Sequence, residues 1–302
     1  MRYRIERTDR ARFSSPVREH HFECRILPWA DEGQRLEQIE IGVDPAAEVA
    51  SHRDGFGNQL HSAALLGAHD DCSVRMVAEV NTLLMNPFQF DAVAPAREPL
   101  WISDSLRQAP RLWDFVLHRS ALTPEIETLP LRELVGENDG AALGWRPGLA
   151  LLTQSQEACD WTKAEFEHDP AQSSVTALGD LVERRGGTSA DLTHLLIAIV
   201  RSWGMPARFV SGYLDPGYFD PDDDDPADVE PRPQTLHCWM EVLIPGGGWR
   251  GFDPAHGLVA DDTYIRLAVG RDFSDLTGFR QSFKGNGESE EVETEIDVRR
   301  LD

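Results

Sequence analysis

The sequence predicts an α+β fold in two parts: an N-terminal antiparallel β-sandwich over residues 1–85, and a mixed helix–strand core over residues 151–302. Three observations predict it. Strand-length runs divided by turn residues recur through the first 85 residues, the pattern of a sandwich. A strongly periodic apolar helix begins near Ser189. A strand then leads into a hairpin, in which Leu236–Ile244 and Trp249–Phe252 flank Pro245-Gly246-Gly247-Gly248.

Taken in order, Arg2–Thr8, Phe13–Val17, Phe22–Leu27, Leu36–Val43, Ala47–His52, Gln59–Leu65 and Ser73–Val80 read as strands. Ser14-Ser15-Pro16, Asp31-Glu32-Gly33, Asp44-Pro45, Gly55-Phe56-Gly57-Asn58 and His69-Asp70-Asp71 read as the turns between them. Residues 86–150 form a linker with short helices: Pro- and Ala-rich at first, then broken by Pro110, Pro124 and Pro130, then Gly-rich. Trp161–Asp169 fits helix or strand. Val175–Arg185 reads as a helix through Leu178, Leu181 and Val182. In the main helix Leu192, Leu195, Leu196, Ile199, Val200 and Trp203 keep the 3.6-residue period. Thr188 to Asp191 fits a capping box, and Gly204 and Pro206 end the helix. Ala207–Leu214 is a strand. Residues 215–233 are an acidic, Pro-rich loop, and Asp222–Asp225 lacks the Gly and terminal Glu of a calcium loop. That run reads as a solvated surface loop. After the hairpin comes a helix or loop, and Val292–Leu301 is a last alternating strand.

Composition excludes several functions. Hydrophobic residues are 41% and charged residues 27% of the chain, which is ordinary for a globular protein. The longest apolar run, Leu195–Val200, is far short of the ~20 residues of a membrane span. The net charge of −23 disfavours nucleic acid and anionic membranes as partners. The start, MRYRIERTDR, has no apolar segment of the kind a signal peptide carries. Cys24, Cys72, Cys159 and Cys238 are scattered, which argues against a zinc site and a disulfide scaffold. A cytoplasmic setting is the expectation. His20-His21 and His256 lack metal-ligand spacing, so neither metal nor cofactor is implied.

Three segments carry the chemistry: Gly186–His194 entering the main helix, His237–Val242, and Gly248–Pro254. A nucleophile at a helix N-terminus gains from the helix dipole and from unbonded backbone N–H groups. A His on a following strand can serve as base, and an Asp on the next strand can orient it. If His237 faces Asp253, Trp239 sits opposite Gly251 and Glu241 opposite Trp249, with His237 and Asp253 on one sheet face. A tighter turn would put Asp253 opposite Met240, on the other face. Loop length does not choose between the two. Read alone, Ser189 and Thr188 are ordinary helix caps, Asp253 a turn residue before Pro254, and His237 a strand histidine. Asp191 reads as a cap before a site residue. Cys238 points away from His237 on a strand, and His194 reads as structural.

In this order and spacing, the motifs resemble the transglutaminase-like superfamily in its bacterial form with an N-terminal β domain. The resemblance rests on Gly187-Thr188-Ser189-Ala190-Asp191, on Gly204 to Tyr213, on His237-Cys238-Trp239, on Gly248 to Pro254 and on Gly270-Arg271-Asp272. In the N-terminal part it rests on Tyr3, Ser15-Pro16-Val17 and Asp54 to Asn58. It implies a papain-like core whose triad maps onto residue 189, His237 and Asp253. It implies peptide amide or isopeptide chemistry, hydrolysis before cross-linking. The substrate would be a peptide or protein, and an ATP-grasp-type peptide ligase system is an associated partner. The family's nucleophile is a cysteine; here it is Ser189. A thiol in such a place ionises readily, whereas a serine hydroxyl needs concerted removal of its proton. Three readings of Ser189 stand: the natural residue of a non-catalytic, peptide-binding or regulatory homologue, a working serine nucleophile, or a replacement of a native cysteine.

Overall fold

The N-terminal strands form a single curled antiparallel sheet, and its long first strand alternates buried and less buried side chains through its first half. A computed structural model describes residues 1–129, 131, 143–170, 172, 174–218, 235–276, 278–290 and 292–301. Its first strand, β1 (Arg2–Cys24), runs through the expected Ser14-Ser15-Pro16 turn without ending. The turn residues instead fall at a register irregularity between Arg12 and Val17. The strand continues because new partners take up its hydrogen bonds: Ser14 N–H donates to the Glu288 carbonyl at 3.0 Å. β2 (Gln34–Asp44), β3 (Ala50–Arg53), β4 (Gln59–Leu65) and β5 (His69–Thr82) complete the order β2-β5-β1-β4-β3.

The sheet also takes the end of the chain. β13 (Phe279–Gly285) and β14 (Glu293–Arg300) both pair with β1. The expected core of residues 151–302 therefore gives up its last two strands to the N-terminal sheet. An alternating strand such as 292–301 states which face is buried and not which sheet it joins; the free edge of β1 decides that.

In chain order α1 (Glu98–Gln108), α2 (Asp114–Leu117) and α3 (Leu151–Glu165) follow the first five strands. β6 (Glu167–His168) and β7 (Gly186–Gly187) form a short parallel pair, with α4 (Leu178–Arg184) between them. α5 (Ser189–Ser202) is buried along nearly its whole length. The core sheet has the order β11-β10-β9-β8-β12, all antiparallel, from β8 (Ala207–Leu214), β9 (His237–Ile244), β10 (Gly248–Asp253), β11 (Leu258–Val259) and β12 (Tyr264–Gly270). β12 stands where the sequence suggested a helix or loop.

One face of the core sheet packs Met240, Val242 and Phe252 with Leu192, Leu195, Leu196 and Ile199 of α5. The other packs Trp239 with Val210, Ala260, Tyr264 and Val269, closed by Trp29 and Phe56 from the N-terminal unit. Polar ties join the units: Tyr3 donates to Asp215 at 2.7 Å, and the Asn58 side chain bonds both the N–H and the carbonyl of Val269. Among the described residues no helix is long and apolar enough to cross a membrane. Of the expected acidic loop, Asp215 is buried and Pro216–Tyr218 forms a 3-10 turn. Residues 219–234, including Asp222–Asp225, lie outside the described residues.

Candidate active site

Sequence dictates the start of α5 closely. Thr188 is the N-cap: its hydroxyl accepts from Asp191 N–H, while the Asp191 carboxylate accepts from Thr188 N–H at 2.9 Å. This reciprocal box satisfies two of the helix's unbonded donors. The other Asp191 oxygen accepts from Thr176 N–H at 2.8 Å. Asp191 is thus a cap and a tether. Gly187 is required in front of the box, because a Cβ there would stand 2.8 Å from the Asp191 carboxylate and 2.9 Å from Leu181. Ser189 follows as the first helical residue, 8% exposed.

The hairpin supplies the second half. Gly251 pairs with Glu241 and Phe252 with Met240, so Asp253 continues opposite Trp239. The register is two residues from the one expected with His237 facing Asp253, yet it keeps odd-numbered residues of both strands on one face. Parity, not direct opposition, is what the pairing of side chains needs. The Trp-over-Gly packing survives as a diagonal: a Cβ on Gly251 would sit 3.1 Å from the Trp239 ring. His237 Nε2 and Asp253 Oδ2 are 2.7 Å apart, with Asp253 fully buried.

Asp253 is the hub of a larger network. Its Oδ2 also meets His256 Nδ1 at 2.7 Å and accepts from the Tyr264 hydroxyl at 2.9 Å, while Oδ1 accepts from Ala255 N–H at 2.9 Å. Burial works against ionising this carboxyl. The neighbouring His237 and the hydrogen bonds from His237 and His256 overcome that and hold it below the usual carboxylate range. His168, on β6, faces both imidazoles, with ring centroids 6.3 Å from His237 and 6.0 Å from His256. Burial, followed by the two neighbouring imidazoles, lowers its pKa. The β6–β7 pairing, His168 beside Gly187, brings this ring to the α5 start.

Cys238 points away from His237, as strand alternation requires, into the face that packs α5. There burial raises the pKa of its thiol to about 12. Among the described residues Ser189 and His237 share no hydrogen bond. His194 has a structural place: fully buried, it stacks on Phe209 and accepts from Phe273 N–H at 3.1 Å.

His237 and Asp253 are therefore joined directly, and Ser189 stands at the helix start beside their strand. Sequence reasoning set His256 aside for lack of metal-ligand spacing and missed His168 and Tyr264. The Asp253-Pro254-Ala255-His256 turn was the one available signal for His256, since a tight turn returns residue i+3 over residue i. His168 and Tyr264 reach the site only through sheet pairing, which spacing does not reveal.

Comparison with known proteins agrees with this architecture. Residues 3–81 match the bacterial transglutaminase-like N-terminal region, and residues 148–254 match the transglutaminase-like superfamily. An uncharacterized protein of Mycobacterium leprae is 24% identical over 290 residues, covering 96% of this chain and 95% of its own length. Another, of Mycobacterium bovis, is 25% identical over 305 residues, covering 98% of this chain and 92% of its own length. A Cytophaga hutchinsonii crystal structure, described as a candidate cysteine protease, superposes with a TM-score of 0.68 at 20% identity, over 100% of this chain and 92% of that one. That likeness concerns the fold.

Proposed function

The chain belongs to the transglutaminase-like superfamily, and from that premise we propose that it acts on peptide amide or isopeptide bonds by acyl transfer to water. Ser189 attacks the carbonyl, His237 moves the proton and Asp253 orients His237. One observation carries this reading: the 2.7 Å bond between His237 Nε2 and a buried carboxylate. An ionised acceptor there fixes the proton on Nε2, which leaves Nδ1 with a lone pair for the nucleophile's proton. Tyr264 and the Ala255 N–H hold the carboxylate in place. The first backbone bond of α5 runs from Leu192 N–H to the Thr188 carbonyl. The N–H groups of Ser189 and Ala190 precede it, and they are the donors for the oxyanion. The substrate is a peptide or protein, with an ATP-grasp-type peptide ligase as partner. The four buried free thiols suit a cytoplasmic setting.

A specific observation favours a second reading, a peptide-binding or regulatory module without turnover. Among the described residues Ser189 and His237 share no hydrogen bond, so the serine is not held ready for proton transfer. Ser189→Cys separates the two. In the acyl-transfer reading the new thiol alkylates with iodoacetamide at pH 6 faster than the four buried cysteines, and His237→Ala slows it. Peptide hydrolysis by the unmodified chain makes Ser189 a working nucleophile; hydrolysis by the Cys form alone makes the serine chain a binding module. A thiol no more reactive than an ordinary exposed cysteine would overturn the triad.

A further inference from the structure

The network around Asp253 holds more donors than a triad uses. His237 Nε2, His256 Nδ1 and an Asp253 carboxylate oxygen lie within 4.8 Å of one another. Both nitrogens point at the same oxygen from 2.7 Å. His237 and Asp253 are buried, whereas the His256 side chain is 33% exposed, which gives an ion a path from solvent. Two imidazoles and one carboxylate are the donors of three-ligand zinc sites, which leave a fourth position for water. Imidazole selects zinc and its transition-metal neighbours over calcium and magnesium. Zinc–ligand bonds of about 2.0–2.2 Å put neighbouring donor atoms about 3.3 Å apart. Each 2.7 Å contact must then open by about 0.6 Å: His256 moves with the turn that follows β10, and the His237 ring by a small rotation of its own side chain at the start of β9. An outer shell is also present: Tyr264 and the Ala255 N–H already hold the carboxylate, as ligands of metal sites commonly require.

We propose that His237, Asp253 and His256 form a binding site for a divalent transition metal of the Zn2+ class, and that filling it is incompatible with His237 acting as a base. The second half rests on the acyl-transfer reading above; the first does not. The incompatibility follows from the tautomer. In the acyl-transfer reading the Nε2 proton of His237 faces Asp253 in the metal-free protein. A metal bound through Nε2 displaces that proton to Nδ1, the atom that would accept the nucleophile's proton. Bond making and proton movement balance within one imidazole, with no other reactant. His237 then presents a donor where the reaction needs an acceptor.

The test is direct titration of the full chain with Zn2+ by calorimetry and with Co2+ by visible absorption. The expected result is one equivalent bound, with ligand-field bands of a low-coordinate site and no sulfur-to-cobalt charge transfer. His256→Ala should weaken binding by more than about tenfold, and Tyr264→Phe by up to about tenfold through the outer shell. Cys238→Ser should leave binding unchanged. If His256→Ala loses its circular dichroism signature, His256→Gln takes its place, since its half-exposed side chain tolerates a polar replacement. No stoichiometric binding, binding unchanged without the His256 imidazole, or a thiolate spectrum would overturn the site. Nitrogen-15 spectra of the histidines test the second half. Zn2+ should move the His237 proton from Nε2 to Nδ1, and an unmoved proton would overturn the incompatibility. A metal-free protein already protonated at Nδ1 would count against the acyl-transfer reading while leaving the metal titration intact.

Discussion

The two sheets bury their strands differently. β1 alternates buried and less buried positions through its first half, and β2 leaves most of its side chains in solvent. β8 and β9 are buried at every position. A one-sided sheet tolerates change on its wet face and forbids it on its dry one. A sheet covered on both faces, by α5 on one side and by the Trp239 cluster on the other, has no tolerant face. Reactive groups sit well at the end of such a strand, because packing on both faces fixes the backbone that carries them.

The largest expected effect sharpens this contrast. Trp239→Ala in β9 should cost about 4 kcal/mol in urea denaturation, because Trp239 is fully buried among Val210, Ala260 and Tyr264. Ile39→Ala in β2, where the side chain is 48% exposed, should stay within about 0.5 kcal/mol. Similar costs at the two positions would break the comparison.

Acid should also act through the core. Burial first, then the charge of Arg201, lowers the His194 pKa from 6.5 to about 3. Between those values the unfolded chain binds a proton that the native chain does not, so stability rises with pH there. The contribution is complete above about pH 6.5 and is lost as pH falls, by about 3 kcal/mol at pH 4. Denaturation at several pH values should give this slope, and His194→Gln should flatten it; an unchanged slope would assign acid sensitivity elsewhere. Smallest among the core effects, Thr188→Ala should cost about 1 kcal/mol through the lost cap. A loss within error would mean that packing alone fixes the start of α5.

Much of this was legible in the sequence, for reasons that differ by element. Gln59–Leu65 coincides with β4 because turn residues bound a strand-length run on both sides. The start of α5 was legible because a capping box is a local bond pattern. β1 was read as pieces because Ser14-Ser15-Pro16 is a turn signal only when no partner strand overrides it, and here 289 and neighbouring residues do. α3 was missed because part of its buried side is polar: Gln154, Ser155 and Thr162 are buried beside Ala158 and Trp161, which blurs the apolar period. At the site, residues 189, 237 and 253 stood out by motif order. His256, His168 and Tyr264 did not, since a hydrogen bond across a sheet leaves no trace in spacing.

The strand that joins the two ends of the described chain has a consequence for biosynthesis. β1 is made long before β14, yet one of its flanks is completed only by β14, where Tyr3 pairs with Arg300 and Leu301 N–H donates to the Arg2 carbonyl at 2.8 Å. During translation that flank stays open until residues 293–300 have left the ribosome. A nascent sheet with an unpaired edge is a template for pairing with a neighbouring chain. Productive folding is then a race between the arrival of residues 293–300 and the approach of another copy, and slower translation of the last segment would tilt the race toward aggregation.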